Sequence, residues 1–320
     1  MLQSIPPRTV HPAISLVMLV SFFFLGQLIG GMVGLSVSIP LAGGSVMQGT
    51  NRVMQVLQSQ FGGVPNAWLI LMVMQAFSSA GGFILAVWAY LFFIERKPLK
   101  SLNTQRNIQV LPVFLILFLG LAFIIFNEWI YQWNRNWDLP GWLAGFEEWS
   151  RRKQEQLGEL TKFLTQFDSF GKMLIGLLVI AVIPAIGEEL FFRGVIQSVL
   201  MQWTKNAHWA VWITGFLFSF IHFQLDGFVP RMLLGVVFGY LYVWSGNIWY
   251  PIWAHFVNNG VTVVGVYLSR NQQSAVDLEN TEWISVPQGL VALAVSALLL
   301  WYLKRVFDNF HEPQPAVANP

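Results

Sequence analysis

The chain has no cysteine in 320 residues. That excludes disulfides, thiolate metal sites and cysteine nucleophiles, and leaves the compartment unspecified. Charge is scarce as well. Asp, Glu, Lys and Arg make up 11% of residues, against about 25% in a soluble domain. No basic cluster interleaved with aromatics is present, which sets nucleic-acid binding aside, and a net charge of +2 adds no argument for it. There is no internal repeat, nor the pair of interrupted apolar segments that marks many transporter halves. What the chain has instead is apolar residues, 55% of the total, gathered in long runs. It is expected to be an all-α, polytopic integral membrane protein.

Runs of spanning length fall roughly at 13–38, 67–94, 108–132, 170–187, 208–225, 229–245, 248–268 and 287–304, or about eight transmembrane helices at about 20 residues each. A separate helix over about 188–203 is expected after the fourth, with Pro184 and Gly187 marking a break. The first run has no small-residue cleavage site before it and reads as a retained span. Arg96, Lys97, Lys100 and Arg106 lie between the second and third spans, and Lys304 and Arg305 follow the last. Asp277, Glu279 and Glu282 lie between the seventh and eighth. Positive-inside reasoning then puts the 95–107 loop and both termini in the cytoplasm, with the bacterial inner (plasma) membrane as the expected location. The 133–169 segment, with Trp133, Trp137, Trp142 and Trp149 among balanced charges, reads as one or two amphipathic helices at an interface. Residues 306–320 read as a disordered, proline-rich tail. The whole is one membrane domain, 1–320, in which 1–169 form an N-terminal part and 170–268 a core.

The core holds the costly residues. Glu188 and Glu189 follow an uninterrupted apolar run from Met173, and Arg193 comes four residues later. Acids at membrane depth are expensive and mark function. Residues four apart share a helix face, so Glu189 pairs with Arg193. Glu188 points about 100° away and is left to meet something from another helix. Among five histidines, His11, His208 and His311 read as surface residues. His222 and His255 lie inside predicted spans and need partners there. Asp226, four residues after His222, could orient it or mark the helix end. Asn258 and Asn259 share a face with His255, and a histidine with an amide suits a developing oxyanion, a water or a metal. Polar groups buried on separate helices turn toward one another, because lipid is worse for all of them.

At these residues the chain resembles the CaaX protease and bacteriocin-processing (Abi) family of intramembrane endopeptidases. The shared motifs are Glu-Glu-x-x-x-Arg at Glu188, Glu189 and Arg193, Phe-x-x-x-His at Phe218 and His222, and His-x-x-x-Asn at His255 and Asn259. The resemblance covers about 170–268. It implies a helical membrane protease with a polar intramembrane cavity opening toward the cytoplasm, acting on a membrane-associated protein or peptide. Glu188 and His222 would activate water. His255 and Asn259 would polarise the scissile carbonyl, while Glu189 and Arg193 would be structural. The resemblance leaves the cofactor open between none and a divalent metal such as zinc, whose ligands would be Glu188, His222 and His255. The same residues would also serve a non-catalytic peptide-binding or immunity protein, or a proton-coupled transporter.

Overall fold

A computed structural model describes residues 10–105, 107–270 and 284–311. Ten helices and no strands occur among them. They are α1 (Pro12–Ala42), α2 (Val46–Leu57), α3 (Ala67–Glu95), α4 (Val110–Asn134), α5 (Ala144–Leu164), α6 (Phe170–Thr204), α7 (Ala207–Phe220), α8 (Phe228–Ser245), α9 (Trp249–Arg270) and α10 (Val286–His311). Each of the eight expected apolar runs carries a helix, but the 208–225 run is helical only to Phe220, so His222, expected inside a span, lies in the loop that follows. Six of these helices, α1, α3, α4, α6, α8 and α10, are both long and apolar enough to cross a bilayer. The chain is an all-α integral membrane protein. The two shortfalls have different causes. Helix α7 is apolar but has 14 residues, about 21 Å at 1.5 Å per residue. Helix α9 has 22 residues but spends several of them on His255, Asn258, Asn259 and Thr262.

The break expected near Pro184 is absent. Residues 170–204 form one helix with two wide, π-type stretches, Leu177–Val182 and Leu190–Gln197, on either side of the segment that carries the acid pair. A wide turn takes up the missing proline N–H without ending the helix, and such turns are common at functional sites. Helix α3 has two more, Ala80–Leu85 and Tyr90–Glu95. The 133–169 segment resolves into the last turn of α4, a short connection and a single amphipathic helix, α5. The final helix continues to His311, so 306–311 are helical and not tail. The expectations resting on residues 1–9, on Arg106, on Asp277, Glu279 and Glu282, and on 312–320 lie outside the described residues.

Close helix approach positions the core. A Cβ on Gly26 would lie 2.1 Å from the Gly81 carbonyl oxygen, so only glycine permits the α1–α3 contact. A Cβ on Gly235 would lie 3.0 Å from Gly215 Cα, which brings α8 against α7. Two α6 side chains exploit that closeness. Arg193 Nη2 donates to the Gly235 carbonyl at 2.8 Å, and Gln197 Nε2 to the Gly239 carbonyl at 3.1 Å. The four-residue step matches on both helices and locks α6 to α8 in register. A ring cluster of Phe23, Phe83, Phe191, Phe192 and Phe218 fills the space between α1, α3, α6 and α7.

The two ends of the bundle differ. One gathers the start of α1, residues 96–105 and 107–109, the α6–α7 turn and the end of α10. There His11 meets the Trp203 ring, Thr104 N–H donates to the Gly246 carbonyl, and Tyr250 packs on Phe307. The other end carries α5 and the 221–227 loop between α7 and α8.

Candidate active site

Two consecutive glutamates reach the two nitrogens of one imidazole. His255 Nδ1 lies 2.8 Å from Glu189 Oε1, and His255 Nε2 lies 4.0 Å from Glu188 Oε2. Adjacent helix positions point about 100° apart, and the imidazole from α9 enters the wedge between them. Glu189 Oε1 also accepts from Arg193 Nη1 at 2.7 Å, so the predicted pair forms. A carboxylate accepting from a guanidinium accepts a hydrogen bond from His255 Nδ1–H as well, which fixes Nδ1 as a protonated nitrogen and turns Nε2 toward Glu188. Glu189 is therefore more than a counterion for Arg193, as it orients the histidine. Phe238 stacks on the same ring at 5.2 Å.

Burial separates the roles. The side chains of Glu189 and Arg193 are 0% exposed and that of His255 4%, whereas Glu188 retains 14%. Arg193 is further held by the faces of Phe218 and Phe238, at 4.7 and 5.3 Å, contacts worth about 2 kcal/mol when desolvated. Glu188 is the more exposed of the two acids.

His222 joins the group through Phe218, whose ring lies 5.5 Å from the His222 ring and 5.9 Å from the His255 ring, edge-on to both. His222 Nδ1 lies 2.8 Å from the Phe218 carbonyl. A carbonyl only accepts, so Nδ1 carries the proton and Nε2 offers its lone pair. Asp226 does not orient His222. It accepts from Gln154 Nε2 at 2.6 Å and lies 3.6 Å from Arg151, both on α5. His208 has a partner too, Tyr240 Oη at 2.7 Å.

Asn259 faces α6, where its Nδ2 donates to the Ile180 carbonyl at 3.1 Å while its Oδ1 accepts from Asn258 Nδ2 at 3.0 Å. Ile180 is four residues before Pro184, so its carbonyl lacks the α-helical N–H that any other residue at 184 would supply. Asn259 supplies a donor there, and one amide hydrogen remains for other use.

One charged residue escaped the sequence reading. Arg231, in the first turn of α8, lies within electrostatic reach of Glu188 and His222. Its Nη2 donates to Gln224 Oε1 at 2.7 Å, and its buried Nη1 has no hydrogen-bond partner among the described residues. Arg231 gives the site two guanidinium groups against two carboxylates, the balance that buried charges require. The signal was present in the sequence: an arginine inside the apolar run 229–245 is as costly as the glutamates.

Both site imidazoles bond through Nδ1 and leave Nε2 free, as metal-bound histidines do. Among the described residues, however, no three His, Cys, Asp or Glu side chains are grouped to hold a metal.

Apolar membrane helices enclosing two carboxylates, a buried guanidinium and two imidazoles define an integral membrane protein with a buried polar site. Residues 170–261 match the family described as Type II CAAX prenyl endopeptidase Rce1-like, and this bears out the resemblance read from the three motifs. The chain is 31% identical over 88 residues to "Putative membrane peptidase YdiL" of Bacillus subtilis (strain 168), covering 28% of this chain and 36% of that protein. It is 27% identical over 89 residues to "Uncharacterized protein YpbD" of the same organism, covering 27% and 42%. With "Uncharacterized protein YyaK", again from that organism, it is 26% identical over 147 residues, covering 42% and 49%. The chain thus spans less than half the length of these curated relatives. No solved structure matches.

Proposed function

We propose that the chain is an intramembrane endopeptidase that hydrolyses a peptide bond of a membrane-associated protein or peptide. The observation that carries this reading is the wedge of Glu188 and Glu189 around His255. Glu188, the one of these groups open to a reactant, accepts a proton from water, with the Nε2 lone pair of His222 as its partner base. The water oxygen bonds to the scissile carbonyl carbon and the carbonyl electrons move to oxygen. His255, held through Nδ1 by Glu189, and the spare amide hydrogen of Asn259 stabilise that oxyanion. Collapse breaks the C–N bond, and the proton taken from water passes to the leaving amine. Arg231 supplies a fixed positive charge beside the developing negative one.

The inner membrane is the proposed site of action, with both termini and the 95–107 loop in the cytoplasm, supported by Lys97, Lys100, Lys205, Lys304 and Arg305 at that end.

The test is cleavage of a membrane-peptide library by purified protein in liposomes. Glu188→Ala, His222→Ala and His255→Ala are each expected to lower turnover by about 100- to 10,000-fold. Full activity in all three would overturn the assignment. Absence of cleavage with peptide binding retained would favour a binding protein, and proton-coupled flux without cleavage a transporter.

A further inference from the structure

Helix α7 ends at Phe220, about 21 Å from its start at 1.5 Å per residue, short of a hydrocarbon core about 30 Å thick. Counted from a start at the membrane surface, where Lys205 and Asn206 are exposed, the 221–227 loop that carries His222 begins within membrane depth. Irregular backbone is tolerated there only where protein or trapped water satisfies its N–H and C=O groups. The loop is also strained, with Phe223 at φ +53°, a conformation that a bulky residue with a Cβ rarely adopts.

A single side chain satisfies the two groups that flank the strained turn. Ser150, on α5, donates from Oγ to the Phe223 carbonyl at 3.2 Å and accepts from Leu225 N–H at 3.1 Å. Ser150 is 1% exposed, the one fully buried residue of α5. Around it Trp149 meets the Phe223 ring edge-on at 5.5 Å, and Gln154 and Arg151 hold Asp226. The other end of α5 is tied down separately: Phe163 stacks on Phe61 at 4.0 Å, and Trp68 donates from its indole to the Leu164 carbonyl at 2.9 Å. Helix α5 is thus a strap fastened at both ends. Its buried hydroxyl lies within a few residues of His222, although α5 falls outside the 170–261 segment shared with the protease family.

We propose that Ser150 is a positioning residue for the site: it clasps the 221–227 loop across the strained Phe223 and so fixes where His222 presents Nε2. The proposal builds on the peptidase reading for its consequence, while the clasp itself can be measured without it. Loss of the hydroxyl removes a donor and an acceptor at once, and Phe223 then relaxes toward an ordinary backbone conformation, carrying His222 with it.

The experiment uses the full chain in nanodiscs, with isotope-labelled histidine and labelled Leu225. In the unmodified protein, Leu225 N–H is expected to be protected from hydrogen exchange, and His222 to give one sharp Nδ1-protonated ring signal. Unprotected exchange at Leu225 overturns the proposal without need of a variant. Ser150→Ala is expected to broaden or shift the His222 signal and leave that of His208 unchanged. It is expected to lower kcat by about 10- to 100-fold, as about 1 Å of misplacement does, with KM within about twofold. Ser150→Thr keeps the hydroxyl and is expected to retain both properties. Phe223→Gly, which adopts the left-handed conformation without cost, is expected to recover much of the loss when combined with Ser150→Ala. An unchanged His222 signal in Ser150→Ala, or equal losses in the alanine and threonine variants, overturns the proposal. If the unmodified protein cleaves nothing, the peptidase reading fails while the exchange and ring-signal results still decide the clasp.

Discussion

Glu189 sits between two demands. It accepts from Arg193 and from His255 on the same oxygen, so removing it does two separable things. Arg193 loses its counter-charge at 0% exposure, and breaking a buried pair by deleting one partner costs about 3–5 kcal/mol. His255 loses the acceptor that fixes its tautomer. Glu189→Ala is therefore expected to lower the unfolding midpoint sharply and to be inactive. Glu189→Leu combined with Arg193→Met replaces both charges by apolar groups. That pair is expected to regain most of the thermal stability and to remain inactive, because His255 is still unoriented. Recovery of turnover in the double variant, read beside its melting curve, would show Glu189 to be a counterion alone. The pairing with Arg193 was legible in the sequence because the four-residue step on a helix is a local rule. The bond to His255 was not, because it joins residues 66 positions apart. Arg231 could have been found by applying to it the cost argument already applied to the glutamates.

The site depends on how α6 avoids breaking. Proline at 184 removes one N–H, and the expectation was that the helix would end there. The wide turn at Leu177–Val182 lets it continue, and Asn259 from α9 gives the Ile180 carbonyl a donor. A helix-spacing argument sees only one helix, so this cross-helix repair could not be read from the sequence. It assigns Asn259 a structural duty in addition to the proposed catalytic one, and the two can be told apart. Asn259→Ala is expected to cost about 1–3 kcal/mol through the buried carbonyl left without its partner, and to lower turnover. Adding Pro184→Ala restores an N–H four residues after Ile180 and is expected to recover part of the stability. If turnover recovers in parallel, Asn259 acts through α6 geometry. If turnover stays low in a restabilised protein, its remaining amide hydrogen serves the reaction. The amphipathic character of α5 was legible for the same local reason that the α6–α9 contact was not. Its apolar and charged residues alternate along one helix, whereas the partner of Ser150 is a loop whose shape exists only in the folded chain.

At the scale of the whole molecule, two expectations about sidedness name opposite ends of the bundle. The end with Lys97, Lys100, Lys205, Lys304 and Arg305 is richer in Lys and Arg than in acids, which is the argument for the proposed cytoplasmic placement. The loop carrying His222 and the strap α5 lie at the other end, where Glu147, Glu148, Arg151 and Arg152 offset one another in ion pairs. A cavity opening past His222 would then face away from the cytoplasm, contrary to what the family resemblance implies. The absence of native cysteine makes the question direct to answer, because any introduced thiol is a unique label. Lys100, Lys205, Lys153 and Glu155 are all exposed, so cysteine at each should leave the fold intact. With a membrane-impermeant maleimide, Lys100→Cys and Lys205→Cys are expected to react only from the cytoplasmic face of oriented vesicles. Lys153→Cys and Glu155→Cys are expected to react only from the opposite face. The reverse pattern would mean that α5 and the His222 loop face the cytoplasm. The basic residues at the far end would then be orienting the chain against the usual charge rule, and the substrate would be met on the side where cytoplasmic proteins reach the membrane.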